Sequence, residues 1–169
     1  MKVEKLLAAY ARLLEAFLIL LILVLLITVG LQIIGRYVDF IPRYLWTEEV
    51  ANFSLTWVVF AGAILGVREN RHFMVDLLPE RMPLWAEIVT KTIYYGAMYL
   101  LTLVFIVYGF RFTQAGMIRR SVLIGVRLVI VYIGVPITGF SWAAFITHNL
   151  VRDIRRIRRR DITTGEGDK

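Results

Sequence analysis

The sequence contains four long runs without a single charged residue, and these runs constrain its fold more than any other feature. They cover residues 16–34, 50–67, 92–110 and 128–151, and their lengths are 19, 18, 19 and 24 residues. An α-helix rises about 1.5 Å per residue, so about 20 residues cross a hydrocarbon core of about 30 Å. Hydrophobic residues make up 59% of the chain, which is more than a soluble core requires. We therefore predict a protein that resides in a membrane.

The predicted fold is an all-α integral membrane protein with four transmembrane helices. Lipid offers no hydrogen-bond partner to an unpaired backbone amide, and none of the runs shows the alternation of a barrel strand. We predict one membrane domain over residues 1–169, with spans at about 13–36, 46–67, 88–110 and 127–151 and a basic tail at 152–169. The first run is longer than the apolar core of a signal peptide, so we expect it to stay as an anchor.

Basic residues are distributed unequally between the two sides of the membrane that four spans define. The side that holds both termini carries 14 lysines and arginines, against six on the opposite side. By the positive-inside rule, we expect both termini in the cytoplasm. The arginine-rich segment 152–160 dominates this count and would attract anionic lipid headgroups. We expect membrane lipids, and no nucleic acid, as partners of this tail.

The four runs contain no ionisable acid or base apart from tyrosine and histidine, and this limits the chemistry that the chain can perform. A carrier, a proton relay or a haem protein normally keeps ionisable or ligating side chains within the membrane. His72 and His148 fall in a loop and near a helix end, while Glu15, Glu48 and Glu49 lie at the edges of the runs. The chain has no cysteine, and no phosphate-binding loop or nucleophile motif is visible. We predict no catalytic residue, no cofactor and no metal site, so the chain is not expected to be an enzyme.

Small residues in two of the runs predict close helix packing. Gly62 and Gly66 are four residues apart in the second run, a spacing that lets another helix approach closely. Gly134 and Thr138, followed by Gly139, form a second small patch in the fourth run, and Pro136 between the first two is expected to kink that helix. The sequence does not decide whether Gly62 and Gly66 face this chain's own helices or another subunit.

Three polar residues recur at every fourth position where the second helix is expected to leave the membrane. If that helix continues, Arg68, His72 and Asp76 share one face and can form a ladder of charge-assisted hydrogen bonds. One interpretation is that the three residues fix the loop against the helix ends. The other is that they contact a partner subunit.

A specific pattern of residues surrounds the second helix. It consists of Trp46, Thr47, Glu48 and Glu49, then Trp57, the sequence FAGA at 60–63, Arg68, His72 and the sequence VDL at 75–77. This pattern resembles the signature of the small membrane subunit, called DctQ-type, of tripartite ATP-independent periplasmic (TRAP) transporters. Arg36 after the first run also fits, and the sequence VPI at 135–137 is similar to a proline-containing element in the fourth helix of such subunits. Residues 121–131 depart from the small, proline-containing stretch that many members carry there.

The resemblance implies a role in transport rather than a reaction. In TRAP systems a periplasmic solute-binding protein delivers a solute, typically a carboxylate, to a large permease subunit that uses an ion gradient. The small subunit packs on the scaffold of the large subunit and widens it, in the bacterial cytoplasmic (inner) membrane. The resemblance therefore implies a heterodimer with a large TRAP permease subunit. The candidates for its interface or for the family motif are Arg36, Trp46, Glu48, Glu49, Trp57, Gly62, Gly66, Arg68, His72 and Asp76.

Two other functions stay open from the sequence. The chain could be an independent small transporter or channel, in which case it should act as a homo-oligomer and move solute alone. It could also be an assembly or structural factor of the membrane. On the side opposite the termini, Arg111, Arg119, Arg120 and Arg127 have no acidic residue between them, so they could attract an acidic face of the binding protein or contact headgroup phosphates.

Overall fold

The computed structural model describes residues 2–38, 44–69, 84–122 and 124–165, and helices form almost all of this part of the chain. The helices are α1 (Lys2–Tyr37), α2 (Trp46–Glu69), α3 (Leu84–Ile118), the single turn α4 (Val129–Tyr132) and α5 (Gly134–Gly165). Within them lie four stretches that are long and apolar enough to cross a membrane, namely Glu4–Tyr37, Trp46–Glu69, Ile88–Ile118 and Val129–Arg155. The predicted all-α fold with four membrane-spanning helices is confirmed.

Helices α2 and α5 form the centre of the bundle. Helix α1 packs along α2, α3 packs along α5, and α2 and α5 contact each other. This order explains why only 6% of the most apolar part of α1 is buried, against 44% of the last span. An outer helix covers mainly one neighbour and presents most of its remaining surface to the surroundings, which suits apolar side chains in lipid.

The bundle has two distinct ends. The termini end holds the beginnings of α1 and α3 and the final parts of α2 and α5, and the far end holds the opposite ends of these helices. The main buried cluster lies towards the termini end and joins all four long helices. Its members are Ala11, Ile64, Val67, Tyr95, Phe145 and Ile146.

Pro136 organises the contact between α3 and α5 near the far end. Proline has no N–H, so it cannot donate to the carbonyl of Tyr132 four residues earlier. The hydroxyl of Thr113 in α3 donates over 2.8 Å to the carbonyl of Gly109 in its own helix and, in a bifurcated bond, over 3.3 Å to that carbonyl of Tyr132. The helix is interrupted at Ile133, between α4 and α5, one turn before the proline. A neighbouring helix thus supplies the hydrogen bond that the proline removes, as burial in lipid requires.

Glycines of α3 and α5 allow these helices to approach closely. A Cβ atom at Gly109 would lie 2.9 Å from both Cδ and the backbone nitrogen of Pro136, and one at Gly139 would lie 2.9 Å from Cγ1 of Ile106. These distances are shorter than an ordinary van der Waals contact. The predicted small-residue patch of the fourth span therefore packs within the chain.

Candidate functional site

Trp57 lies at the junction of α1 and α2. Its ring meets the ring of Phe17 edge-on with centroids 6.0 Å apart, and it meets the ring of Phe60 at 6.1 Å. Phe60 in turn occupies the space that a side chain at Gly134 would need. Aromatic pairs of this geometry contribute about 0.5–1.5 kcal/mol each beyond the burial of their surface. Trp57 therefore helps to hold α1 on α2, and Phe60 extends the contact to α5.

Arg68 forms an ion pair with Glu15 at the termini end. Its Nη1 donates to Oε1 of Glu15 over 2.6 Å, and the two side chains are 32% and 45% exposed. The predicted ladder partners His72 and Asp76 lie outside the described residues, so the ladder stays a prediction. Sequence reasoning missed Glu15, although a signal existed. Glu15 directly precedes the first uncharged run and Arg68 directly follows the second, so antiparallel neighbours bring both to one membrane boundary.

Two side chains of α5 donate hydrogen bonds to backbone carbonyls of α2. Nε1 of Trp142 donates to the carbonyl of Ala63 over 3.1 Å, and Nδ2 of Asn149 donates to that of Val67 over 3.3 Å. A carbonyl oxygen has two lone pairs, so it can accept these bonds in addition to its helical bond. These contacts, which the sequence did not indicate, position α5 along the final third of α2.

Tyr95 and Asp153 connect α3 to α5 at the termini end. The hydroxyl of Tyr95 donates to Oδ2 of Asp153 over 2.8 Å, and Nζ of Lys91 lies 4.0 Å from the same oxygen. Asp153 follows the last uncharged run by two residues, so it lies where this span meets the headgroup region. The group therefore fixes the ends of two spans at a common boundary.

Glu49 connects the start of α2 to the loop between α3 and α4. Its Oε2 accepts a hydrogen bond from the backbone N–H of Ile124 over 2.8 Å. The loop turns back on itself, because the N–H of Ser121 donates to the carbonyl of Val126 over 2.8 Å. Gly125 permits this turn with a φ of +70°, a conformation that glycine adopts without strain. Glu49 is thus an anchor for the loop.

The α3–α4 loop presents basic and apolar side chains outward. Arg120 and Arg127 pair in an isolated antiparallel bridge, and both are exposed. Val122 in the loop is 95% exposed, and Ile118 at the end of α3 is 88% exposed. Like charges directly opposite each other across a bridge repel. An anionic group bound beside the two arginines would reduce this repulsion.

Three more of the predicted residues lie exposed at the far end. Arg36 is in the last turn of α1, where a positive charge complements the helix dipole. Trp46 begins α2 with its ring 6.1 Å from that of Tyr44, and Glu48 follows in the same first turn. Within the described ranges, the side chains of Arg36, Trp46 and Glu48 make no hydrogen bond or ion pair.

Gly62 and Gly66 lie on a face of α2 that the described part of the chain leaves open. A Cβ atom built at either position would meet no neighbouring atom within 4 Å. This contrasts with Gly109 and Gly139, where the chain's own helices occupy the space. The sequence leaves open whether these two glycines face the chain's own helices or another subunit. Among the described residues, none of the chain's own helices packs against them.

Hydroxyl side chains within the spans bond to their own helices. Eight of them donate to the carbonyl four residues earlier over 2.7–2.8 Å, namely Thr28, Thr56, Thr92, Thr102, Thr113, Thr138, Ser141 and Thr147. Nε2 of Gln32 is buried without a hydrogen-bond partner. In the four described ranges, no group of three or more histidine, aspartate and glutamate side chains could hold a metal ion. These eight hydroxyl groups of the spans are thus satisfied within the chain.

Comparison with known proteins identifies the family of this chain. Residues 25–156 match the sequence model of a family described as "Tripartite ATP-independent periplasmic transporters, DctQ component". The chain belongs to this family. A relative from Haemophilus influenzae, described as a "Putative TRAP transporter small permease protein", is 33% identical to it over 67 residues. That match covers 40% of this chain and 41% of the relative.

Family membership and the four apolar spans together identify a component of a TRAP transporter, of the small DctQ type. The chain is a multi-pass protein of the bacterial inner membrane. The matched range includes the final third of α1 and the whole of α2, α3 and α4, together with the part of α5 that spans the membrane.

Proposed function

We propose that this DctQ-type chain is an accessory subunit that packs on the scaffold of a large permease subunit and widens it. The complex would take up a solute, which we propose to be a carboxylate, with the energy of an ion gradient. The family match over residues 25–156 carries this proposal, and the polar groups of the described spans support it. Their hydroxyls bond to their own helices, and Glu15 at the edge of the first run is paired with Arg68. Carriers need such groups within the membrane, so we assign the carrier role to the large subunit.

We further propose that residues 1–169 form one membrane domain whose termini end faces the cytoplasm. The excess of basic residues on that side supports this orientation. Helix α5 continues through the arginine-rich segment to Gly165, and this segment would contact anionic lipid headgroups. The far end, with the α3–α4 loop, would then face the periplasm and the solute-binding protein.

The proposed role includes no catalysis by this chain and no resident cofactor or metal ion. A transporter subunit of this kind contributes surface and rigidity, so its residues act by packing and by orientation. The candidate residues Glu49, Trp57 and Arg68 contribute to the chain's own structure through the contacts above. Arg36, Trp46 and Glu48, and with them His72 and Asp76, remain candidates for contact with other subunits.

Purification of the tagged chain in mild detergent from its native membranes tests the proposed role. We expect a large polytopic permease to elute with it in a one-to-one ratio, and mass spectrometry would identify that protein. The control is the same purification with a tagged membrane protein of similar size from another system. A homo-oligomer without such a partner would contradict the proposal and favour the independent small transporter.

Cysteine labelling tests the proposed orientation. The chain has no cysteine of its own, so single cysteines at Val122 in the loop and at Ile154 in α5 can be compared directly. Both positions are exposed, at 95% and 54%. A membrane-impermeant maleimide added to cells with a permeable outer membrane should label Val122→Cys and spare Ile154→Cys. The reverse pattern would show that the termini face the periplasm.

A further inference from the structure

One stripe along α2 faces away from all other described helices. It follows the helix at steps of three and four residues, which place its members on one side. Leu55 and Val59 in its middle are 50% and 59% exposed. Helices α1 and α5 contact α2 elsewhere on its surface. The stripe, called the outer stripe of α2 below, consists of Glu48, Asn52, Leu55, Val59, Gly62, Gly66 and Glu69.

Asn52 is the first reason to expect a protein partner on this stripe. Helix α2 has 24 residues and is about 36 Å long, so a hydrocarbon core of about 30 Å centred on it begins about 3 Å from its start. Asn52 lies about 9 Å from that start and is exposed, and its short side chain cannot reach the headgroups. The side-chain amide has no hydrogen-bond partner among the described residues. Lipid cannot supply one, whereas a polar side chain on a neighbouring helix can.

The two glycines are the second reason. A Cβ atom built at Gly62 or Gly66 would meet no atom of the described chain within 4 Å. Two glycines in a helix interior reduce helix stability by up to about 1 kcal/mol each relative to alanine. Close approach of another helix backbone compensates for that loss, because it replaces lipid contacts by tight van der Waals packing.

The charges at both ends of the stripe indicate the chemistry of the partner. Glu48 and Glu69 are exposed near the two membrane boundaries, and neither has an ion-pair partner among the described residues. A second copy of this chain would insert in the same orientation, so its stripe would place Glu48 against Glu48 and Glu69 against Glu69. Like charges at such positions repel. A different helix with basic residues at both boundaries complements the stripe.

We propose that the outer stripe of α2 receives one transmembrane helix of the large permease subunit. That helix would carry small residues opposite Gly62 and Gly66, a hydrogen-bonding side chain opposite Asn52, and lysine or arginine near each membrane boundary. The inference rests on the proposed function, because it assumes that a large permease subunit binds this chain. It adds which face of which helix makes the contact.

Photo-crosslinking locates this contact directly. A photoreactive amino acid is placed at Leu55 or Val59 in the stripe and, as controls, at Leu26 in α1 and Leu103 in α3, which are 69% and 61% exposed. The chain is co-expressed with the large permease subunit of the same transporter, and its membranes are irradiated. We expect adducts with the large subunit from the stripe positions and not from the controls.

The outcomes separate the stripe from the proposed function. Adducts with the large subunit from Leu26 or Leu103 but not from the stripe would overturn the inference and leave the heterodimer intact. Adducts between two copies of this chain through Val59 would also overturn it. If the two wild-type subunits fail to co-purify, the proposed function itself fails, and the inference fails with it.

Substitutions provide a second measurement with a matched control. Gly62→Leu combined with Gly66→Leu should reduce the yield of complex at least about tenfold, since the partner helix can no longer approach. A Cβ atom at Gly96 in α3 also meets no neighbouring atom within 4 Å, so Gly96→Leu should leave the yield unchanged. The double variant alone should be at least as stable in detergent as the wild type, which would show that a loss of complex does not reflect misfolding. A wild-type yield of complex from the double variant would overturn the inference.

The effect of Asn52→Leu on the affinity of the complex shows whether Asn52 contacts protein or lipid. If Asn52 bonds to the partner helix, the substitution should weaken the complex about three- to fifteen-fold, the range of hydrogen bonds between membrane helices. If Asn52 faces lipid, leucine removes an unsatisfied amide from hydrocarbon, so the affinity should stay the same or rise. An unchanged or higher affinity would overturn the assignment.

Discussion

Replacing Gly109 by alanine should separate α3 from α5, and the structure gives the size of the effect. The new Cβ would lie 2.9 Å from Cδ and the backbone nitrogen of Pro136 and 3.2 Å from its Cα. Carbon atoms prefer about 3.5–4.0 Å, so the helices would move apart by roughly 0.5–1 Å. The obstacle is a proline ring and its backbone, which cannot rotate away as a flexible side chain would. Overpacking of this kind destabilises a fold by about 1–3 kcal/mol.

Gly96→Ala in the same helix is the matched control. A Cβ at Gly96 meets no neighbouring atom within 4 Å, and both substitutions add the helix propensity of alanine, at most about 1 kcal/mol. The difference between the two variants therefore isolates the packing against Pro136. We expect Gly109→Ala to be less stable than Gly96→Ala by about 1–3 kcal/mol in unfolding by SDS, followed by circular dichroism. Equal stabilities would refute the close approach of α3 and α5 at this position.

Three further contacts give predictions of their own. Glu15→Ala and Arg68→Ala should show a coupling of about 0.2–1 kcal/mol in a double-mutant cycle, because the pair is partly exposed; independent effects would contradict the ion pair. Trp142→Phe removes an N–H that donates a hydrogen bond to α2, so it should lower the free energy of unfolding by about 0.5–1.5 kcal/mol. A variant as stable as the wild type would show that this bond does not stabilise the fold. Glu49→Ala should accelerate hydrogen exchange of the backbone amides in residues 121–126. Glu49→Gln keeps an acceptor oxygen, so these amides should exchange more slowly in it than in the alanine variant. Identical rates in both variants would contradict the anchoring role.

The sequence predicts the number and type of the helices well, because charged side chains are costly in hydrocarbon and mark where a span must end. It does not predict how far a helix continues beyond its uncharged run. Helix α3 continues to Ile118, eight residues beyond the third uncharged run, since Arg111 is compatible with a helix that leaves the membrane. Pro136 indicated a disturbed helix, yet the hydroxyl of Thr113 that satisfies the freed carbonyl comes from another helix. Such partners depend on how the helices pack.

The same limit applies to the candidate site. Spacing along one helix shows which residues share a face, and it therefore predicts that Arg68 contacts His72 and Asp76. It does not show which neighbour occupies that face, and the partner within the described ranges is Glu15, 53 positions away. The openness of the face with Gly62 likewise follows from where α1 and α5 lie. Contacts between subunits depend in addition on the structure of the partner, so the sequence of one chain predicts them least. The outer stripe of α2 is the surface on which we expect them.

Transport in reconstituted proteoliposomes tests the central claim, that this chain is an accessory subunit of a TRAP transporter, most directly. Vesicles would contain this chain alone, the large permease subunit alone, or both, with the solute-binding protein, labelled solute and an ion gradient supplied outside. The account predicts ion-driven uptake only when both membrane subunits are present and no uptake by this chain alone. Uptake by vesicles that contain this chain as the sole membrane protein would contradict it.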